Sequence, residues 1–255
     1  MVRSINLVFS TSRRLEYFQI TLRSLVEKNP EIQELVQKIF ILDDRSSKDD
    51  REMMRFLVSH YFGKEKVHLI TFDCDQPYGY VEKLNFLGKL SCDGEYTLFI
   101  EDDWLCLDSI ELEKHIWTLE NTEADLITFS ENFYIQEISR QEVSDINDLY
   151  WKNPWPMSFR HTIEISDTGW LYWTEVKINN FSLNPSLLKA GVFRKSKFLK
   201  EEGYEIKFSD HLSFSQYFTK THKFIHIGNE SFEKKSELSL KVKSQIEEWT
   251  GDGSS

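Results

Sequence analysis

The sequence predicts an α/β protein in which a mostly parallel central sheet is flanked by helices, and three observations support this class. Over the first half of the chain, short apolar runs of strand length alternate with longer stretches whose apolar residues recur at helical spacing. Such alternation is typical of parallel strands joined by crossover helices. Carboxylates follow several of the predicted strands directly, at the sheet edge where α/β proteins bind their ligands.

The elements of the first half can be assigned in order. Strands are predicted at 5–10, 38–44, 67–73, 96–100 and 124–130, and helices at 13–29, 46–62, 79–91 and 109–122. Ser47, with acids in the turn that follows it, has the chemistry of a helix N-cap. The helix after Ser47 is predicted to bury one apolar stripe, formed by Met53, Met54, Phe56, Leu57 and Tyr61.

The second half is less regular. The aromatic and proline-punctuated stretch 147–161 is predicted to be a loop, and 161–166 with 170–178 a hairpin. Short helices are expected around 195–203 and 209–220, a strand near the histidine of "KFIHIG", and a charged helix at the end. We expect one continuous domain over 1–250, with a regular first half at 1–130, a second half at 131–250 that completes the pocket, and a disordered tail at 251–255.

Composition excludes some functional classes. The formal net charge of −11 argues against a nucleic-acid partner, which would need a basic face. No stretch approaches the roughly 20 apolar residues of a transmembrane helix, and the N-terminus lacks the pattern of a signal peptide. The three cysteines are widely spaced, which is typical of reduced thiols. We therefore expect a cytoplasmic protein with no transmembrane segment.

Three consecutive carboxylates, Glu101, Asp102 and Asp103, follow the strand at 96–100. In an extended chain Glu101 and Asp103 would share one face. A hard divalent cation such as Mg²⁺ or Mn²⁺ takes oxygen ligands of this kind and leaves positions for phosphate oxygens. The alternative is a solvated turn in which Asp102 or Asp103 caps the next helix, and the triplet alone does not decide between the two.

A second pair of acids, Asp43 and Asp44, ends the strand at 38–44. Acids in this position can accept hydrogen bonds from a nucleotide base or a ribose. Asp44 could equally cap the next helix through a turn with Ser46 or Ser47. Taken alone, this pair favours the capping interpretation.

The ordered set of motifs resembles a known enzyme family. The stretches "FSTSRR", "FILDDRSSKDD" and "GYVEKLNFLGKLSCDGEYTLFIEDDW" occur in the order found in glycosyltransferases of the GT-A fold, close to the family-2-like group. The resemblance covers about residues 5–104. It implies transfer of a sugar from a nucleoside-diphosphate sugar, with a UDP-sugar favoured, to a hydroxyl of a glycan or glycoconjugate. It also implies that Mn²⁺ or Mg²⁺ is the cofactor.

The resemblance also implies roles for individual residues on the donor side. Thr11 and Arg13 correspond to the first loop, which contacts the nucleotide, and Asp44, beside Asp43, to the residue that reads the base. Lys83 corresponds to a basic side chain that faces the diphosphate or the sugar, although a solvated helix lysine is an equal alternative.

Within the acidic triplet, the resemblance makes Asp103 the principal metal ligand and gives Asp102 a ribose or sugar contact. Glu101 departs from the family pattern, which has aspartate there, so its longer side chain is the least certain ligand. Some members of such families add a late histidine as a further ligand, here His226. A partly buried histidine bonded to the backbone is the slightly favoured alternative.

The acceptor side depends on the second half. Asp210, at the start of the helix expected over 209–220, is the candidate general base of an inverting reaction, with Glu175 and Asp167 as rivals and helix capping as the alternative. Three tryptophans are candidates for an acceptor platform, although core packing explains any one of them as well: Trp104, Trp170 and Trp173.

Two other functions stay open. A sugar-1-phosphate nucleotidyltransferase would normally carry a glycine-rich loop after the first strand, and "STSRR" contains no glycine. A non-catalytic module that binds sugar nucleotides would share the same pocket without turnover.

Overall fold

A computed structural model describes twelve stretches of the chain. They are residues 4–72, 82–83, 85–87, 96–122, 124–129, 158–165, 169–177, 185–189, 198–200, 206–208, 213–219 and 223–227. Within 158–165, 169–177, 198–200, 206–208 and 213–219 the description is of the backbone strands alone.

Four parallel strands from the first part of the chain form one half of the main sheet. They are β1 (Ile5–Thr11), β2 (Val36–Asp44), β3 (Val67–Phe72) and β4 (Tyr96–Glu101), in the order β3-β2-β1-β4. Each coincides with a predicted strand. All seven residues of β1 are buried, as expected for a central strand covered on both faces.

Three helices coincide with predicted ones: α1 (Leu15–Lys28), α3 (Lys48–Phe62) and α4 (Leu112–Asn121). The single turn α2 (Ile32–Leu35) was not predicted, and residues 82–83 and 85–87 of the helix expected at 79–91 are helical. The predicted cap of α3 is confirmed, because the Ser47 hydroxyl accepts a hydrogen bond from the backbone N–H of Asp50 at 3.0 Å.

One apolar cluster fills the space between these helices and the sheet. Ile5, Leu7 and Phe9 alternate along one face of β1, and Phe18 of α1 meets Phe9 edge to face at a centroid distance of 5.2 Å. Removing a side chain of this size from water contributes about 2 kcal/mol, so the cluster holds helices and strands in fixed positions. That rigidity positions the loops at the carboxyl edge of the sheet.

The apolar stripe of α3 differs from the prediction. Met54, Val58 and Phe62 are the buried residues, whereas Met53 and Phe56 are 43% and 66% exposed. Leu57 and Tyr61, by contrast, are partly buried against the core as predicted. The buried row follows four-residue spacing along the side of the helix that faces the core, and composition alone does not fix which side that is.

Strands from both parts of the chain complete the main sheet. β6 (Leu126–Thr128), β7 (Ser158–Ile165), β8 (Gly169–Lys177), β9 (Ser186–Lys189) and β12 (Ser213–Thr219) extend it to the order β3-β2-β1-β4-β9-β6-β12-β8-β7. The added pairs are antiparallel except for β6 with β12, so this half of the sheet is mixed. The predicted α/β class, with its parallel central strands and flanking helices, is confirmed.

The remaining strands are short pairs. β10 (Phe198–Lys200) pairs with β11 (Ile206–Phe208), and β5 (Trp104–Cys106) pairs with β13 (Phe224–His226). The predicted hairpin and the strand at His226 are confirmed. Strand β5 was not anticipated, because three residues are too few to show a period.

Three expectations for the second half are wrong. Residues 213–219 and 198–200 are strands rather than helices, and 158–161 belong to β7 rather than to a loop. In β12 the positions of Phe214, Tyr217 and Phe218 also fit a helical stripe, but pairing with β6 and β8 determines the conformation. Asp210 therefore precedes a strand, and its own position lies outside the described residues.

No helix in the described part of the chain is long and apolar enough to span a membrane. The division into halves at residue 130 stays a prediction, and the tail at 251–255 lies outside the described residues.

Candidate functional site

The acidic triplet lies where the chain leaves the sheet. Glu101 is the last residue of β4 and pairs with Ser10, and the chain then turns at Asp102 and Asp103 before β5 begins. The backbone N–H of Asp102 donates to the carbonyl of Ser10 at 3.0 Å. The chain is therefore not extended through the triplet, and the expected alternation of Glu101 and Asp103 on one face does not apply.

Asp102 is fully buried and held from several sides. Its Oδ2 accepts hydrogen bonds from the Thr11 hydroxyl at 2.8 Å and the Ser12 N–H at 3.2 Å. Its carbonyl accepts from the Thr21 hydroxyl at 2.6 Å, and its Oδ1 lies 2.9 Å from Nη2 of Arg14. Burial raises the pKa of Asp102, and the Arg14 charge offsets this only in part.

Asp103 receives two charged or polar partners on one oxygen. Oδ2 accepts from Arg14 Nη1 at 2.6 Å and from His226 Nε2 at 2.9 Å. Its backbone carbonyl accepts from the N–H of Ile227 at 2.9 Å, which fixes the turn against β13. Burial would raise the pKa of Asp103, but the hydrogen bond from His226 and the charge of Arg14 lower it below the usual range.

His226 reaches the site because β13 pairs with β5. The pairing places His226 opposite Trp104, with the two rings 5.1 Å apart, and directs the imidazole at Asp103. The hydrogen bond to Asp103 raises the pKa of His226, against the lowering effect of burial. The histidine thus joins the acids through a side-chain contact with Asp103.

Trp104 is nearly buried in the apolar cluster, and its indole N–H meets no acceptor among the described residues. A buried ring offers little surface to a sugar, so its role as an acceptor platform stays a prediction. The side chains of Trp170, Trp173 and Glu175 in β8 lie outside the description, as does Asp167.

The acids at the end of β2 have different surroundings. Asp43 is fully buried and accepts from the N–H and hydroxyl of Ser46 and from Arg51 Nε at 2.7 Å. These three bonds brace the turn between β2 and α3. Asp44 has its Oδ1 3.5 Å from Arg45 Nε, and this buried oxygen accepts no hydrogen bond from the described residues.

The first loop connects the two acidic regions. The Ser12 hydroxyl donates to the Asp44 carbonyl at 3.0 Å, and the Arg13 N–H donates to the Ser46 hydroxyl at 2.9 Å. Arg13 has a φ of 55°, in the left-handed region that non-glycine residues seldom adopt. This reversal sends the chain into α1 with Arg14 facing the acids, so the structure puts Arg14, which the sequence did not single out, at the centre of the site.

Lys83 is buried rather than solvated. Its Nζ donates to the Thr11 carbonyl at 3.1 Å. Burial lowers its pKa, while Asp44 and Asp102 act in the opposite direction as nearby negative charges. The alternative of a solvated helix lysine is therefore excluded, and Lys83 adds a second cation to the acidic edge.

The residues present fit a divalent cation held by few protein ligands. No three His, Cys, Asp or Glu side chains converge as a ready-made metal site within the described ranges. Asp103 Oδ2 and His226 Nε2 nevertheless meet at 2.9 Å, and Asp102 Oδ1 is buried with Arg14 as its charged partner. Mg²⁺ and Mn²⁺ sites commonly use one or two protein ligands and complete their shell with substrate phosphates and water.

Comparison with solved structures identifies the architecture. The first 349 residues of S. aureus TarS align with a TM-score of 0.50 and 11% identity, covering 95% of this chain and 65% of that one. The fold is that of GT-A glycosyltransferases. At this identity the likeness concerns the fold alone. No family model and no curated protein sequence matches the chain.

Other glycosyltransferases align less closely. A galactosyltransferase, LgtC, with donor and acceptor sugar analogues, aligns at a TM-score of 0.43 and 14% identity over 74% of this chain, which spans 59% of LgtC. The mannosyltransferase PcManGT from Pyrobaculum calidifontis, with GDP-Man and Mn²⁺, aligns at 0.41 and 12% over 50% of this chain and 35% of its own.

Proposed function

We propose that the chain is a glycosyltransferase that moves a sugar from a nucleoside-diphosphate sugar, with UDP-sugars favoured, to a hydroxyl of a glycan or glycoconjugate. One observation carries the proposal: beyond the carboxyl ends of the parallel strands, Asp102 and Asp103 both contact the Arg14 guanidinium, and His226 contacts Asp103 on the same oxygen. That is the edge at which α/β sheets bind ligands. Carboxylates that already surround one positive charge, that of Arg14, suit a divalent cation that binds together with a diphosphate.

Asp103 and His226 are the residues that would hold Mn²⁺ or Mg²⁺. Asp103 is nearly buried and ionised at neutral pH, since its pKa is low, and His226 presents a ring nitrogen to the same point. Glu101, at the end of β4, is a further carboxylate at this edge. When bound, the cation would offset the negative charge that develops on the leaving diphosphate.

Residues around the cation would position the donor. The loop of Thr11 and Arg13 connects the acidic turn to the end of β2, and Asp44 is the candidate contact for a base or ribose. Lys83 places a buried ammonium beside the Thr11 carbonyl, close to the donor phosphates in this arrangement. Asp102 accepts hydrogen bonds from the Thr11 hydroxyl and the Ser12 N–H and so orders the loop after β1. It is also a candidate contact for the ribose or the sugar.

The acceptor side of the proposal depends on Asp210, Trp170 and Trp173. If the reaction inverts the anomeric centre, Asp210 is the general base that takes the proton from the acceptor hydroxyl. The strand observed at Ser213–Thr219 removes the expected helix start, so the support for Asp210 is its closeness in sequence to β12 of the main sheet. A retaining reaction needs no such base.

A donor panel tests the proposal. UDP-, GDP- and other nucleotide sugars are incubated with the protein with and without Mn²⁺ or Mg²⁺, and release of nucleoside diphosphate is measured. We expect metal-dependent release from at least one donor. Binding without release in every condition would indicate a non-catalytic module, and the absence of both would contradict any role in sugar-nucleotide chemistry.

A further inference from the structure

The guanidinium of Arg14 lies where a divalent cation would have to bind. Arg14 is the N-cap residue of α1, and it follows directly on the left-handed Arg13. Nη2 lies 2.9 Å from Asp102 Oδ1 and Nη1 lies 2.6 Å from Asp103 Oδ2. The side chain therefore bridges two carboxylates with two separate nitrogens, and both contacts are charge-assisted.

Arg14 and a divalent cation would compete for the same oxygen. Asp103 Oδ2 already accepts from Arg14 and from His226. A metal ligated by that oxygen would stand within a few ångströms of the guanidinium, and two cations at that distance repel strongly in a partly buried site. Binding of the metal therefore requires Arg14 to leave.

The acids are fixed and the arginine is not. Asp102 is fully buried, and its carboxylate accepts from the Thr11 hydroxyl and the Ser12 N–H. Asp103 is nearly buried, and its backbone carbonyl is fixed by the N–H of Ile227. The Arg14 side chain is 41% exposed. A long, exposed side chain can change rotamer at little cost, whereas a buried carboxylate stripped of its cation is unfavourable. When the metal replaces the guanidinium, the side chain that moves is therefore that of Arg14.

We propose that Arg14 is an internal counter-cation of Asp102 and Asp103 that competes with the divalent metal for Asp103, and that it exchanges these carboxylates for the diphosphate of the donor. The proposal rests on the metal and donor sites of the proposed function. Before the donor arrives, Arg14 neutralises the acids and keeps the affinity for metal alone low. An anionic diphosphate then offers Arg14 a new partner and the metal further oxygen ligands, so metal and nucleotide bind cooperatively.

Mn²⁺ binding without nucleotide tests this directly. Free Mn²⁺ is titrated by electron paramagnetic resonance into the wild-type protein, Arg14→Gln, Arg14→Lys and Arg23→Gln. Arg23 is an exposed arginine of α1 that pairs with Glu27, away from the acids, and serves as the matched control. We expect Arg14→Gln to bind Mn²⁺ about tenfold more tightly than the wild type, as expected when a competing charge is removed. Arg14→Lys should be intermediate and Arg23→Gln unchanged.

The same titrations with UDP present supply a second readout. UDP should tighten Mn²⁺ binding in the wild type more than in Arg14→Gln, because the variant has no counter-cation to release. Circular dichroism checks that each variant is folded, and Arg14→Lys keeps the charge if Arg14→Gln does not fold. Equal Mn²⁺ affinity of the wild type and the Arg14 variants, with metal bound in the presence of UDP, would overturn the counter-cation and leave the proposed function standing. No Mn²⁺ binding by any protein, with or without UDP, would overturn both.

Discussion

The acids at the end of β2 and the acids after β4 share a sequence pattern, an apolar run followed by adjacent aspartates, yet their surroundings differ. Asp43 takes its partners from its own turn and helix, three and eight residues away. Asp102 and Asp103 take theirs from β1, the start of α1 and β13, 91, 89 and 123 residues away. Local partners brace a turn. Partners that meet only in the folded protein, among them one exposed arginine, form a place where a ligand can enter.

The largest expected effect separates the two regions by activity. Asp103→Ala should reduce donor turnover about a thousandfold, because it removes the principal ligand of the cation that stabilises the leaving group. The thermal midpoint should change little, since Arg14 keeps Asp102 as a partner. Nucleoside diphosphate release and thermal denaturation are measured together. Asp108→Ala, which removes a largely exposed carboxylate paired with Lys223, is the control and should retain turnover.

The second prediction separates the regions by stability. Asp43→Ala should lower the free energy of unfolding by about 3 kcal/mol, because it removes the buried carboxylate that accepts from Ser46 and from the partly buried Arg51. Urea denaturation measures the loss. Asp49→Ala removes an exposed acid from the first turn of α3 and should cost about 0.5 kcal/mol. A stable Asp43→Ala protein that fails to bind nucleotide would give both acidic pairs the same role and break the comparison.

A third prediction isolates a pH effect that belongs to neither region. His115 is buried against Phe129, and burial lowers its pKa to about 4. As pH falls from about 6.5 towards 4, His115 binds a proton in the unfolded chain but not in the folded protein. The free energy of unfolding should therefore fall by roughly 3 kcal/mol. Urea curves for the wild type and His115→Gln at pH 7 and 4.5 should show a smaller acid loss in the variant. Equal losses would assign the acid sensitivity to the carboxylate regions instead.

The smallest expected effect concerns Ser47, the N-cap residue of α3. Ser47→Ala removes the cap of α3 and should cost about 1 kcal/mol in urea denaturation, without changing affinity for UDP. A loss of UDP affinity in this variant would mean that the start of α3 contributes to the donor site directly.

Most of the parallel half of the fold could be predicted from the sequence. β1, β2 and β4 are short apolar runs with turn residues at their ends, and Ser47 marks the start of α3 by local chemistry. The strand β12 could not be predicted in the same way. The spacing of its aromatic residues fits a helix as well as a strand. The pairing with β6 and β8, which decides between the two, involves residues distant in the sequence.

The candidate site was predictable as a set of acids but not as an arrangement. Adjacent arginines at 13 and 14 are equivalent in the sequence, and only the left-handed backbone of Arg13 determines that Arg14 faces the acids. The contact of His226 with Asp103 depends on the pairing of the short strands β5 and β13, which no local sequence pattern predicts. An arginine pair placed between a strand that ends in hydroxyl residues and a helix start was the one signal for Arg14.

Calorimetric titration of UDP tests the account most directly, with the wild type and Asp103→Ala each measured in Mn²⁺ and in EDTA. The account predicts that the wild type binds UDP in Mn²⁺, that EDTA weakens this binding at least tenfold, and that Asp103→Ala binds weakly in both conditions. Equal affinity of the wild type in Mn²⁺ and EDTA, or undiminished metal-dependent binding by Asp103→Ala, would contradict the assignment of the turn after β4 as the metal and diphosphate site.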